Sequence, residues 1–81
     1  MVVFVESAFR HGYSEDDFFE VPDACPLKLR SIHGLDGIYE LLGRNYAGEY
    51  LHIAYRREAD RDVVFHMRAM NLREKRRYRK R

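Results

Sequence analysis

Five ionisable side chains occupy alternating positions in three segments that we predict to be strands, so a sheet would carry them on one face. They are Glu40, Arg44, His52, His66 and Arg68. An imidazole or a carboxylate can exchange protons near neutral pH. A guanidinium keeps its charge and binds phosphate oxygens through a planar fork.

These groups match the needs of RNA phosphodiester cleavage without a metal ion. A base must remove the proton of the 2′-hydroxyl, an acid must protonate the departing 5′-oxygen, and cations must stabilise the charge at phosphorus. We therefore predict Arg44 and Arg68 as the cations that stabilise the transition state. His66 or His52 is the predicted acid or base, and Glu40 is a further candidate catalytic group.

Each of these residues also has a simpler interpretation. His52 and His66 can be polar residues on a solvated sheet face, and Glu40 can form a surface ion pair of little energetic value. Two histidines on adjacent strands can bind a metal ion, but the sequence places no third ligand beside them. It also lacks a glycine-rich phosphate loop, a C-x-x-C pair and an H-E-x-x-H motif, so we expect no cofactor or metal.

The register of the predicted sheet follows from period-two alternation in residues 37–44, 50–57 and 62–68. One face must be covered by other elements, and it consists of Tyr39, Leu41, Leu51, Ile53, Tyr55, Phe65 and Met67. Leu42, Ala54 and Val64 lie between the ionisable residues on the opposite face. A one-residue slip would exchange the two faces, so the register decides which residues can form a site.

Loop lengths fix the predicted pairings. A three-residue loop at 46–48, with Gly48 at the position that needs positive φ, sets Leu42 opposite His52. A three-residue loop at 59–61 sets His52 opposite Arg68, whereas a two-residue loop would mix the faces. Residues 26–32 are predicted to add an edge strand.

Helices are predicted at both ends of the chain. Residues 4–10 form the first short helix, which ends before Gly12, and Ser14 caps a second short helix with an acidic first turn. Near the other end, Asn71 and Glu74 have the spacing of a capping box, so a basic helix begins at Leu72. Leu72 and Tyr78 are its predicted apolar anchors.

The 81 residues predict one small α+β domain (1–81): two short N-terminal helices, an antiparallel sheet of three to four strands and a basic C-terminal helix. Residues 1–70 contain eight basic and twelve acidic side chains, whereas residues 71–81 contain seven and one. This asymmetry predicts either a polyanionic partner or packing of the basic end against the acidic remainder of the same chain. A single cysteine and no long apolar run favour a soluble cytoplasmic protein.

Three segments together resemble the BrnT family of toxins. They read RHGYSEDDFFEV, LLGRNYAGEYLHIAYRRE and VVFHMRAMNLREKRRY. Residue by residue, the histidine of the family's K-H-G motif matches His11, and the arginine of L-G-R matches Arg44. Arg68 and Tyr78 match the arginine of the third sheet motif and the tyrosine of the last helix. The chain departs from the family where Arg57 and Glu58 exchange the order of an acidic–basic pair.

The resemblance implies a RelE-like fold and a bacterial ribonuclease toxin that cleaves RNA without metal and inhibits translation. It implies a cognate ribbon-helix-helix antitoxin similar to BrnA, in a dimer or a heterotetramer. The residues expected to bind RNA, or an acidic part of the antitoxin, are Lys75, Arg76, Arg77, Tyr78 and Arg57. The alternative from another class is a non-catalytic module that binds nucleic acid or protein through the basic helix, and a purely structural role also remains.

Overall fold

The computed structural model describes residues 1–30 and 37–80, and within them five strands form one mixed sheet in the order β1–β5–β4–β3–β2. The strands are β1 (Val2–Phe4), β2 (Leu27–Arg30), β3 (Ile38–Arg44), β4 (Tyr50–Arg57) and β5 (Asp62–Ala69). The α-helices are α1 (Glu15–Glu20) and α2 (Leu72–Arg79), and 3-10 helices span Glu6–Phe9 and Val21–Ala24. The predicted α+β class is confirmed, but the sheet is larger than predicted and is not purely antiparallel.

The first predicted helix is mostly wrong. Residues 2–4 are extended and pair in parallel with β5, and the amide of Val5 donates to the carbonyl of Val64 at 3.0 Å. Only the single 3-10 turn Glu6–Phe9 is helical. The valines around Phe4 are β-branched and favour extended backbone, and the free edge of β5 supplies the hydrogen-bond partners.

The second predicted helix is confirmed as α1. Ser14 and Asp17 form a reciprocal capping box, in which the amide of Ser14 donates to the Asp17 carboxylate at 2.8 Å. Phe18 is buried and packs in the main core with Val21 and Ala8. The N-terminal elements therefore cover one face of the sheet, as predicted.

The first hairpin has the predicted register and loop. Leu42 lies opposite His52, and Leu41 lies opposite Ile53. The loop closes with a hydrogen bond from the amide of Gly48 to the carbonyl of Asn45, and Gly48 has φ of 86°. The edge strand β2 pairs with β3 as predicted, although residues 31 and 32 of that prediction lie outside the described residues.

The second hairpin contains a β-bulge that the sequence did not predict. His52 lies opposite Arg68 and Ala54 opposite His66, as predicted, but the next pair is Tyr55 with Val64. Phe65 is therefore the extra residue on β5, and its carbonyl accepts a hydrogen bond from the Ser7 hydroxyl at 3.0 Å.

The bulge corrects the predicted core on β5. Val64 is fully buried in the main core and Phe65 is only partly buried, the reverse of the prediction. The predicted three-residue connection 59–61 is also wrong: Arg57 pairs with Asp62, and the amide of Glu58 donates to the carbonyl of Arg61, which is the register of a two-residue connection at 59–60. Beyond the bulge the predicted register returns, which leaves His66 and Arg68 on the polar face.

The helix α2 covers part of that polar face. Asn71 and Glu74 form the predicted capping box, in which the Glu74 amide donates to the Asn71 side chain at 2.8 Å. Tyr78 is buried against Leu42 and Met70 in a second, smaller core. The predicted anchor Leu72 is wrong, since it is 63% exposed. Among the described residues, neither α-helix has the length and apolar character needed to cross a membrane.

A glycine in β3 permits close packing between the sheet and the N-terminal elements. A Cβ atom on Gly43 would lie 2.6 Å from Cγ1 of Val21 and 3.3 Å from Cβ of Pro26. We predict that Gly43→Ala lowers the free energy of unfolding by about 1–3 kcal/mol through overpacking. In a Val21→Ala background the added methyl group has space, so the cost of Gly43→Ala should fall by about 1 kcal/mol or more. Urea unfolding, followed by circular dichroism, measures the free energies of unfolding of this double-mutant cycle. An equal cost of Gly43→Ala in both backgrounds would contradict this packing.

Candidate active site and cationic surface

His52 is the buried centre of the candidate site. It is 5% exposed, and its Nε2 lies 2.7 Å from Oε1 of Glu40 and 3.7 Å from Oε2 of Glu74. Because the Glu40 carboxylate accepts the hydrogen bond, we assign the proton to Nε2. Nδ1 is buried and has no hydrogen-bond partner among the described residues. The hydrogen bond to Glu40 therefore holds the ring of His52 in place.

Glu74 joins α2 to the sheet. Its two carboxylate oxygens accept hydrogen bonds from Nη1 and Nη2 of Arg68 at 2.7 and 2.8 Å, and Oε1 also accepts from the amide of Asn71 at 2.9 Å. Burial raises the pKa of Glu74, but the hydrogen bonds from Arg68 and Asn71 and the charges of His52 and Arg68 outweigh it and lower the pKa. The hydrogen bond to Glu74 raises the pKa of Arg68. The sequence predicted Glu74 only as a helix cap.

His66 and His11 are the more accessible imidazoles of the site. Their ring centroids lie 5.5 Å apart in an edge-to-face arrangement, and His66 lies 5.8 Å from the ring of His52. His66 is partly buried, whereas His11 is exposed. Burial lowers the pKa of His66, and the charges of His52, Arg68 and His11 lower it further, against a smaller opposing effect of Glu74.

His11 was not among the predicted catalytic residues. It follows the 3-10 turn Glu6–Phe9, and Gly12 directly after it has φ of 88°, which turns the chain. The turn is fixed to β5 by the hydrogen bond between Ser7 and Phe65. The one signal in the sequence was the match of His11 to the histidine of the K-H-G motif.

Arg44 is separated from the other predicted catalytic residues. Its Nε donates to the carbonyl of Gly48 at 3.2 Å, and its guanidinium lies 5.1 Å from the centre of the Tyr50 ring. Two more cations, Lys75 and Arg79, lie 5.6 and 5.4 Å from the same ring centre. In the described part of the chain, the structure thus links Glu40, His52, His66 and Arg68 through contacts and places Arg44 elsewhere. We call the group Arg44, Tyr50, Lys75 and Arg79 the Tyr50 cluster.

The residues predicted to bind RNA lie in three different environments. Arg76 and Arg77 are exposed on α2, and Lys75 is partly exposed beside Tyr50. Tyr78, by contrast, is 4% exposed and packs in the smaller core. Arg57 lies away from α2, since its guanidinium contacts Asp62 at 3.0 Å and the rings of Tyr39 and Tyr55 on the opposite face of the sheet.

A cavity of about 360 Å³ opens between α2 and the polar face of the sheet. Glu40, His52 and Glu74 line its interior, and Arg73 and Arg77 line it from α2. One ligand atom from each of the first three residues lies within 4.8 Å of the others, so this set can hold a metal ion. Arg68 already neutralises Glu74, and a cation would have to compete with that guanidinium.

Compared with models of protein families, with curated proteins and with solved structures, the chain has no significant match. The resemblance to BrnT toxins therefore stays a prediction.

The lowered pKa of Glu74 predicts how stability depends on pH. A carboxylate whose pKa is lower in the folded state stabilises the fold above its unfolded pKa of about 4.3, and this contribution disappears as the pH falls through the folded pKa. We predict that wild type exceeds Glu74→Gln in urea midpoint at pH 6 and that the difference shrinks toward pH 3. Glu6→Gln, at an exposed carboxyl, is the control. A difference that is constant with pH would contradict the role of the ionised Glu74.

Proposed function

We propose that this chain is a metal-independent endoribonuclease that acts as a cytoplasmic toxin with a RelE-like fold. The observation that carries the proposal is the contact between the rings of His11 and His66, next to Arg68 on the same strand as His66. Two accessible imidazoles and a guanidinium supply the acid, the base and the cation that phosphodiester cleavage needs. The sequence resemblance supports the same activity.

In the proposed reaction the 2′-oxygen of a ribose attacks the adjacent phosphorus, and the bond from phosphorus to the 5′-oxygen breaks. His66 accepts the proton of the 2′-hydroxyl, because its lowered pKa keeps the imidazole unprotonated at neutral pH. His11, exposed to solvent, donates a proton to the departing 5′-oxygen. The products are a 2′,3′-cyclic phosphate and a free 5′-hydroxyl, so no water and no metal enter this step.

His52 and Glu40 act as positioning residues in this scheme. His52 is buried, and its Nε2 is occupied by Glu40 at 2.7 Å, so it supports the ring of His66 rather than contacting substrate. Arg68 stabilises the charge at phosphorus, in competition with Glu74. Arg44 then contributes to binding of the substrate rather than to the chemical step.

The partner that the resemblance implies is a ribbon-helix-helix antitoxin, bound through the exposed cations of α2. We expect expression of the wild-type chain to arrest growth. Co-expression of a ribbon-helix-helix protein from an adjoining reading frame should restore it.

A non-catalytic binding module is the second candidate. It is favoured because the Arg68 guanidinium is already bound by Glu74. Both terminal nitrogens of that guanidinium are hydrogen-bonded to Glu74, and Nη1 also donates to the Ala69 carbonyl. Several cations of α2, including Arg73, Arg76 and Arg77, are exposed. Such a surface binds polyanions without any cleavage.

We predict that purified wild type cleaves a defined RNA in EDTA. His66→Ala and His11→Ala should each slow cleavage about 10²- to 10⁴-fold, the usual contribution of an acid or base. Arg68→Ala should slow it about 10²-fold or more, because it removes charge stabilisation at phosphorus. Product analysis should detect the cyclic phosphate.

Arg61→Ala is the matched control, since Arg61 is an exposed cation in the hairpin connection and pairs with Glu58. Circular dichroism confirms that each variant is folded. Salt-sensitive RNA binding without cleavage by wild type would replace the enzyme with the binding module.

The acid limb of the rate profile gives a further prediction. Burial lowers the pKa of His66 from its ordinary value of 6.5, so the base stays active below that pH. We expect the decline of log kcat/KM on the acid side to lie below pH 6.5 in wild type. A decline that begins clearly above pH 6.5 would exclude His66 as the base.

A further inference from the structure

We propose that the Tyr50 cluster is a binding site for a backbone phosphate of single-stranded nucleic acid, next to the cluster of His11, His52 and His66. This inference rests on the proposed function for its choice of ligand, and it changes the role of Arg44 from a catalytic to a binding residue. The cluster consists of Arg44 from β3, Tyr50 from β4, and Lys75 and Arg79 from α2.

The Tyr50 cluster carries three positive charges that carboxylates of the described residues do not balance. Three cations lie between 5.1 and 5.6 Å from the centre of one ring. Within residues 1–30 and 37–80, no carboxylate forms an ion pair with Arg44, Lys75 or Arg79. The attraction of each cation to the ring offsets only part of their mutual repulsion. An anion between them would remove the repulsion.

The ring of Tyr50 holds these cations in place. The ring of Tyr78 packs edge-on against it at 5.9 Å, and Tyr78 is itself buried, so Tyr50 has a fixed orientation. A hydrogen bond from Arg79 lowers the pKa of the Tyr50 hydroxyl, against burial, and the charges of Arg79, Arg44 and Lys75 lower it further. The faces of the ring are close to cations, so the expected ligand is a phosphate rather than a stacked base.

The position of the cluster favours a polymer over a free phosphate ion. Tyr50 and His52 are two residues apart on β4, so they project from the same face about 7 Å apart along the strand. A ligand with regularly spaced phosphates can place one at the Tyr50 cluster and the next near His66 and Arg68. The exposed cations Arg76, in α2, and Lys80, directly after it, add positive charge to the same end of the chain.

The test is binding of a fluorescein-labelled 2′-deoxy oligonucleotide of about twelve nucleotides, measured by anisotropy. Such a strand lacks the 2′-hydroxyl, so binding is measured without cleavage. Arg44→Gln and Arg79→Gln should each weaken binding about 3- to 10-fold and reduce the slope of log K against log salt by about 0.7. Tyr50→Phe keeps the ring but loses the hydroxyl that accepts a hydrogen bond from Arg79, so it should weaken binding less than Arg79→Gln does.

Two controls make the result specific. Arg61→Gln removes the same charge in the connection between β4 and β5, and it should change affinity less than twofold. Tyr50→Leu leaves the charge unchanged but removes the ring, and it should also weaken binding. Circular dichroism monitors its fold, since Tyr50 packs against the smaller core. Arg44→Gln tests the same site if Tyr50→Leu fails to fold.

Competitors separate the possible ligands. Inorganic phosphate should displace the oligonucleotide only at concentrations several orders of magnitude higher. A poly-glutamate peptide of equal charge that binds more tightly than the oligonucleotide would overturn the assignment to nucleic acid. Equal affinity of wild type, Arg44→Gln and Arg79→Gln, or no binding by wild type, would overturn the site itself.

The outcome is distinguishable from that of the proposed function. If wild type fails to cleave RNA but the Arg44 and Arg79 variants lose affinity, the phosphate site stands and the enzyme does not. If wild type cleaves RNA and both variants bind and cleave as it does, the enzyme stands and this site does not.

Discussion

The ion pair between Glu74 and Arg68 is the interaction on which the arrangement of the polar face depends. One carboxylate caps the first turn of α2, binds a guanidinium of β5 through both oxygens and lies near the imidazole of His52. Without it the cap would not be tied to the sheet, and the position of α2 would depend on Tyr78 and on the contacts of Lys75 and Arg79 with Tyr50. The bidentate geometry also fixes direction, because a guanidinium and a carboxylate that share two hydrogen bonds must be coplanar.

The position of α2 in turn creates both parts of the candidate site. The helix covers His52 and leaves His66 partly open, so two imidazoles on adjacent strands have different environments. It also brings Lys75 and Arg79 to the ring of Tyr50, where Arg44 arrives from β3. The candidate catalytic residues and the Tyr50 cluster therefore both depend on the position of α2, and a change in the first turn of α2 affects both.

Short sequence patterns predicted those parts of the structure that depend on residues close together in the chain. Alternation and loop length gave the pairing of Leu42 with His52 and of His52 with Arg68, and the spacing of Asn71 and Glu74 gave the capped helix. The bulge at Phe65 escaped prediction because the extra residue in β5 offsets a connection one residue shorter than predicted, so the pairings beyond the bulge are the predicted ones. β1 escaped because three residues carry too little pattern, and their pairing is decided by the edge of a distant strand.

The same division applies to the candidate site. The proximity of Glu40, His52, His66 and Arg68 follows from alternation on adjacent strands. The proximity of His11 does not, because it depends on how the turn Glu6–Phe9 packs against β5. The burial of His52 depends on the docking of α2, and the separation of Arg44 depends on its attraction to Tyr50. The contacts of His11 and of α2 join elements that no short sequence window contains, whereas Arg44 and Tyr50 are paired across the first hairpin.

The parallel pairing of β1 with β5 has a consequence for the order of folding. Val2 pairs with Asp62, sixty positions later in the chain, so the ends of a long loop must meet before any of these hydrogen bonds can form. The two hairpins close much shorter loops and can form first. Until β1 arrives, the outer edge of β5 is an unpaired strand edge beside a half-covered core. During synthesis on the ribosome the order is reversed, because β1 emerges first and has no strand partner until residues 62–64 have been made.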